Sequence, residues 1–131
     1  MVNPRLMGVC LDCADARELA DFYVRLLGWE IRGGDGAGWI SIGDRAETVH
    51  LNFQAEEWYQ PPVWPEREGA PHKMVHFEIL VEDMAAAVAH AVAAGATVAS
   101  PQPADRDPSQ LRVMLDPAGH PFCLVLDPAS R

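Results

Sequence analysis

At 131 residues, 49% of them hydrophobic and 22% charged, the chain has the make-up of one globular domain with a real core. A formal net charge of −9 argues against nucleic acid and anionic membrane as partners. No stretch approaches the roughly 20 apolar residues that span a bilayer, and Met1-Val2-Asn3-Pro4-Arg5 lacks the basic start and apolar run of a signal peptide, so the expected location is cytoplasmic.

The first strand is expected over Leu6–Cys13. Alternation sends Val9, Leu11 and Cys13 under the following helix and leaves Gly8, Cys10 and Asp12 on the other face. Cys10 and Cys13 form a Cys-x-x-Cys pair. Three residues apart on a strand they point to opposite faces, and no second pair completes a zinc site, so they are read as buried small apolar residues. A helix follows over about 14–27, capped by Asp15 with Glu18 three residues on. Leu19, Phe22, Tyr23, Leu26 and Leu27 form its apolar stripe, and Gly28 its exit. The run Gly33-Gly34-Asp35-Gly36-Ala37-Gly38 matches no nucleotide fingerprint and reads as a hairpin turn between strands, with Trp29 and Trp39 as core residues. In the fourth strand Val49, Leu51 and Phe53 take the buried face and His50, Asn52 and Gln54 share the other.

Residues 55–72 form a proline-rich linker carrying Trp58, Tyr59 and Trp64. Three roles fit such a loop: closing over a flat ligand, docking against a partner subunit, or covering a sheet edge. The pattern then repeats. A fifth strand is expected over Val75–Glu82, with Val75, Phe77, Ile79 and Val81 helix-side and His76, Glu78 and Leu80 opposite. A helix from Met84 to Ala94, capped by Asp83 and ended by Gly95, packs through Met84, Val88 and Val92. A polar loop covers residues 100–110, Asp116-Pro117-Ala118-Gly119 makes a tight turn, and the last strand sends Phe122, Leu124 and Leu126 helix-side with Cys123 and Val125 opposite. His72, His90 and His120 read as solvent-facing. The duplication implies two sheets that curve around a shared space, with polar residues gathered on the face turned from the helices.

Two segments, Ala20-Asp21-Phe22-Tyr23 through Leu27-Gly28-Trp29 and Asp116-Pro117-Ala118-Gly119-His120-Pro121-Phe122, resemble the vicinal oxygen chelate superfamily, the glyoxalase, bleomycin-resistance and extradiol-dioxygenase group. The resemblance runs over essentially the whole chain. It implies an α+β fold: a single glyoxalase-like domain over 1–131, built of two tandem βαβββ modules (about 5–54 and about 73–127) whose curved mixed sheets enclose a cavity, commonly as a homodimer. The superfamily's metal enzymes draw one ligand from the first and last strand of each module. Those positions fall on Gly8, on His50 with Asn52 as the alternative register, on His76, and on Cys123.

With Gly8 and Cys123 at two of the four, the first reading is a protein that binds a small organic ligand without a full metal site and with no cofactor expected. His50, Asn52, His76, Glu78 and Cys123 would orient an aromatic or amphipathic metabolite or drug, and Trp58, Tyr59 or Trp64 would stack on it. The second is a metal-dependent glyoxalase-like lyase, isomerase or dioxygenase with a rearranged divalent site, in which His76 joins His50, Glu78 or Cys123. A third is an interaction module whose arm is the 55–72 loop. The sequence leaves open whether any reaction is catalysed.

Overall fold

The computed structural model describes residues 2–46 and 48–131. The chain divides into two compact units, Met1–Tyr59 and Gln60–Arg131. Each is one helix and four strands in the same order, which makes the fold α+β with two similar modules.

In the first unit β1 (Gly8–Cys13), α1 (Ala16–Leu27), β2 (Glu30–Gly34), β3 (Trp39–Gly43) and β4 (His50–Ala55) make a sheet of order β1-β4-β3-β2. β1 runs parallel to β4, with Gly8 opposite His50, Cys10 opposite Asn52 and Asp12 opposite Gln54; the other pairings are antiparallel. α1 starts where the sequence places its cap. Asp15 is extended, and its carboxylate accepts from the Glu18 N–H at 3.1 Å. It ends at Gly28, whose φ of 70° suits glycine and whose N–H donates to the Val24 carbonyl at 2.9 Å. The stripe then does what its spacing requires. Leu19, Phe22 and Tyr23 are sealed against Ile40, Ile42, Leu51 and Phe53, with Tyr23 stacked on Phe53 at 5.6 Å between ring centroids.

In the second unit β5 (Glu78–Val81), α2 (Met84–Ala94), β6 (Thr97–Val98), β7 (Leu111–Leu115) and β8 (Pro121–Leu126) repeat the order as β5-β8-β7-β6, closed by a short 3₁₀ turn over Pro128–Ser130. Asp83 caps α2 through the Ala86 N–H at 3.0 Å, and Gly95 ends it. Met84, Ala91, Ala94, Ala96, Ala99, Val113, Met114, Phe122 and Leu124 make the core. Asp116 is buried and organises the β7–β8 turn, its carboxylate accepting from the N–H groups of Ala118 and His120 at 2.9 Å each.

Four expectations are corrected. β5 begins at Glu78, not Val75. Its register with β8 sets Glu78 against Cys123, so two residues back His76 would face Pro121, which has no N–H to give; the ladder stops after Cys123 N–H reaches the Phe77 carbonyl. Val75 is consequently 68% exposed. Val92 is exposed as well, because α2 turns Met84, Ala91 and Ala94 inward instead. Cys10 is exposed while Cys13 is buried, since alternation takes Cys10 away from α1. Trp39 is exposed for the same reason: it pairs with Gln54, on the side turned from the helix.

Candidate functional site

The helix-free face of the first unit carries the polar positions expected of it and several more. β4 contributes His50, Asn52 and Gln54. The register lays Gly8, Cys10 and Asp12 of β1 along one side, and Ser41 and Trp39 of β3, opposite Asn52 and Gln54, along the other. The Ser41 hydroxyl and His50 Nδ1 share a hydrogen bond at 3.3 Å, which fixes the imidazole plane. Cys10 Sγ donates weakly to Gln54 Oε1 at 3.9 Å. Asn52 lies at the centre of this face and is 7% exposed.

Two glycines make the arrangement possible. A Cβ on Gly8 would stand 2.8 Å from the His50 carbonyl oxygen and 3.0 Å from Asn52 Nδ2. A Cβ on Gly43 would stand 3.1 Å from His50 Cδ2 and 3.3 Å from Arg32 Cγ. The bare backbone therefore lets the Asn52 amide, the His50 ring and the Arg32 stem lie close to the strands. Arg32 is anchored by donating to the Asp44 carbonyl at 2.7 Å. Partial burial pushes the Cys10 thiol above its ordinary range, and the charges of Asp12 and Glu56 push it further, so near neutral pH this edge presents a protonated thiol beside carboxylates.

The corresponding face of the second unit is largely apolar. Register puts Glu78 beside Cys123 and Leu80 beside Val125, with Val113 opposite Cys123. Leu80 is 64% exposed. Desolvation raises the Cys123 thiol, the Glu78 charge adds to this, and Lys73 and Arg106 offset part of it. His76 stands apart, exposed and ahead of β5. It lies seven residues before its helix cap, as Gly8 does, but the β5–β8 ladder starts two residues later, at Glu78, which holds the place of Cys10 opposite Asn52. Glu78 and Cys123 are thus brought together as cross-strand neighbours, and His76 is not brought onto the ladder with them.

The three loop aromatics separate. Trp58 is 86% exposed in the turn after β4, and Tyr59 is half-buried beside it. Trp64 belongs to the second unit, where its indole N–H donates to the Pro101 carbonyl at 2.8 Å and Lys73 Nζ sits 5.7 Å from the ring centroid. Lys73 also hydrogen-bonds Glu66, whose second oxygen lies 3.6 Å from His72 Nδ1; His72 Nε2 bonds the Arg67 carbonyl at 2.7 Å. Trp64 is therefore held in a packed loop, whereas Trp58 projects.

The four-ligand metal site that the resemblance implies finds a poor donor set. Gly8 offers no side chain, and the space a ligand would grow into is filled by the His50 carbonyl and the Asn52 amide. Among the described residues, neither unit gathers three His, Cys, Asp or Glu side chains in a metal-holding group. These residues do not fit a four-ligand divalent site. A separate cleft of about 330 Å³ lies between α1 and the β2–β3 hairpin, lined by Arg17, Ile31, Gly33, Gly34, Gly36 and Ile40.

Sequence reading overlooked Trp39, Ser41 and Arg32. The signal for the first two was present, because a two-residue period run along β3 puts Trp39, Ser41 and Gly43 together. Which face that set takes depends on pairing with β4, and the weight of a tryptophan pulled it toward the core.

Comparison with known proteins places the molecule. The sequence profile described as "Glyoxalase-like domain" matches residues 8–125. No curated protein matches in sequence. Among solved structures the fold is shared with a possible glyoxalase from Bacillus cereus at 15% identity and a TM-score of 0.64, covering 92% of this chain and 96% of that one. It is shared with TnmS3, an antibiotic binding protein from Streptomyces sp. CB03234, at 17% identity and a TM-score of 0.59, covering 96% and 98%. A glyoxalase/bleomycin resistance protein/dioxygenase family enzyme from Burkholderia phytofirmans PsJN is similar at 20% identity and a TM-score of 0.66, covering 94% and 98%. With nearly the whole chain matched by that profile and the duplicated βαβββ unit in place, the protein belongs to the glyoxalase-like domain family of the vicinal oxygen chelate superfamily.

Proposed function

We propose that this chain is a small-molecule binding protein, holding an aromatic or amphipathic compound against the helix-free face of its first unit. The observation that carries the reading is the composition of that face: a partly exposed indole, Trp39, beside the fixed imidazole of His50 and the amides of Asn52 and Gln54. Such a set offers stacking area and a few oriented polar contacts, which is what a binding wall for a flat organic molecule consists of. The description of TnmS3 as antibiotic-binding supports the reading, because a chain of this fold and length serves that role. On this reading Trp58 and Tyr59 of the same unit add contacts to the ligand, and the protein acts as a homodimer with no nucleic acid or membrane partner and no resident metal.

The test is a fluorescence screen of planar aromatic compounds against protein stripped with chelator. The expected result is saturable quenching by a subset of compounds that is lost in Trp39→Phe and weakened about tenfold or more in His50→Ala, with thermal midpoints near wild type. Quenching that appears only after zinc, iron, manganese or nickel is added would overturn it in favour of the metal-dependent reading.

A further inference from the structure

The Asn52 side chain stands out from its neighbours. Ser41 is bonded to His50, and Gln54 accepts from Cys10. Asn52 is more than nine-tenths buried on the same face, yet among the described residues its amide has no hydrogen-bond partner. A carboxamide this far buried and bonded by no neighbouring side chain has its donor and its acceptor available to a partner reaching the face. The amide is also not sealed, since its atoms are not among those fully closed to solvent. Nor is its placement incidental: Gly8 keeps β1 bare where a methyl group would sit 3.0 Å from Asn52 Nδ2.

We infer that Asn52 determines which ligands this face accepts, and that it selects a neutral molecule presenting a hydrogen-bond donor and an acceptor side by side on a flat ring, as a lactam or imide does. The inference rests on the binding role proposed above and adds to it the chemical class of the ligand. A carboxamide offers N–H and C=O in one plane, and a flat edge with a donor and an acceptor side by side, such as the N–H and C=O of a lactam, satisfies both. A carboxylate accepts from Nδ2 but sets a second oxygen against Oδ1. It would also meet Asp12 and Glu56, whose charges already disfavour a thiolate at Cys10. An ammonium leaves Nδ2 unpaired. Trp39, opposite Gln54 and therefore one pair along from Asn52 on the same face, supplies the stacking surface for the ring.

The test uses three bicyclic probes of one size: 2-quinolone, which carries the lactam edge, naphthalene, which has no polar edge, and 2-naphthoate, which carries a carboxylate. Dissociation constants come from tryptophan quenching in wild type, Asn52→Asp and Asn52→Leu. In wild type the lactam is expected to bind at least tenfold tighter than either of the others. Both variants should lose that preference. In ¹⁵N-labelled wild-type protein, the Asn52 side-chain NH₂ resonances should shift on addition of 2-quinolone and stay in place with naphthalene; this measurement stands even if a variant folds poorly. A lactam preference that survives in Asn52→Leu, or Asn52 resonances that do not move, would overturn the assignment of Asn52 and leave the binding face intact. Failure of all three probes to quench the wild type would overturn both.

Discussion

A methyl group on Gly8 would press on the backbone oxygen of His50, which cannot swing aside as a side-chain tip can. Gly8→Ala is therefore expected to cost about 1–3 kcal/mol in urea unfolding, typical of overpacking. It should also displace Asn52. Gly33→Ala is the matched control, because its Cβ meets nothing within 4 Å and its backbone is not left-handed. It should change stability by less than about 1 kcal/mol. Equal effects of the two substitutions would contradict the packing described here. The same residue shows why a lost ligand was easy to read from sequence and its replacement was not. That Gly8 has no donor atoms is plain in the letters; that its bareness accommodates Asn52 depends on the parallel register of β1 with β4.

At the scale of elements, the helix caps were legible because they are local. Asp15 and Asp83 each bond the N–H three residues on, as their spacing requires. Asp15→Ala is expected to destabilise the protein by about 1 kcal/mol with unchanged binding. A loss of affinity without a loss of stability would give Asp15 a different role. The start of β5 was not legible, because alternation through Val75 and Phe77 continues past the point where Pro121 removes the partner donor. The 60–73 loop owes its order to contacts that no periodicity encodes: Trp64 to Pro101, and Lys73 to Glu66.

That last pair has a pH signature. The Lys73 hydrogen bond and charge hold the Glu66 carboxyl below the ordinary glutamate range, with smaller help from His72 and His76. The folded chain therefore binds this proton less readily than the unfolded one. The contribution to stability is fully present above the unfolded-chain value and is lost as pH falls through the lower folded value. Because the carboxylate is solvent-exposed, that contribution is small. The cleaner readout is the carboxyl ¹³C titration, in which Lys73→Met should raise the Glu66 midpoint toward the ordinary value. An unchanged midpoint would remove Lys73 as its cause.

At the scale of the whole molecule, duplication was the strongest signal in the sequence, and the two units repeat it in strand order, cap positions and glycine exits. What the repeat conceals is that the two helix-free faces differ. The first is polar, through His50, Asn52, Gln54 and Ser41, and the second is lined by Leu80, Val113 and Val125 around Glu78 and Cys123. Strand alternation gave the faces of β1, β4 and β8 correctly, but composition within one strand says little about what the neighbouring strand places beside it.

The central claim is that a ligand binds the first unit's helix-free face in the absence of metal. Its most direct test is chemical-shift mapping of chelator-treated, ¹⁵N-labelled protein titrated with a compound from the quenching screen. The expected result is a cluster of shifts on Cys10, Trp39, Ser41, His50, Asn52 and Gln54, unchanged by adding zinc or iron. Shifts that need the metal, or that fall on α1 and α2 instead, would contradict it.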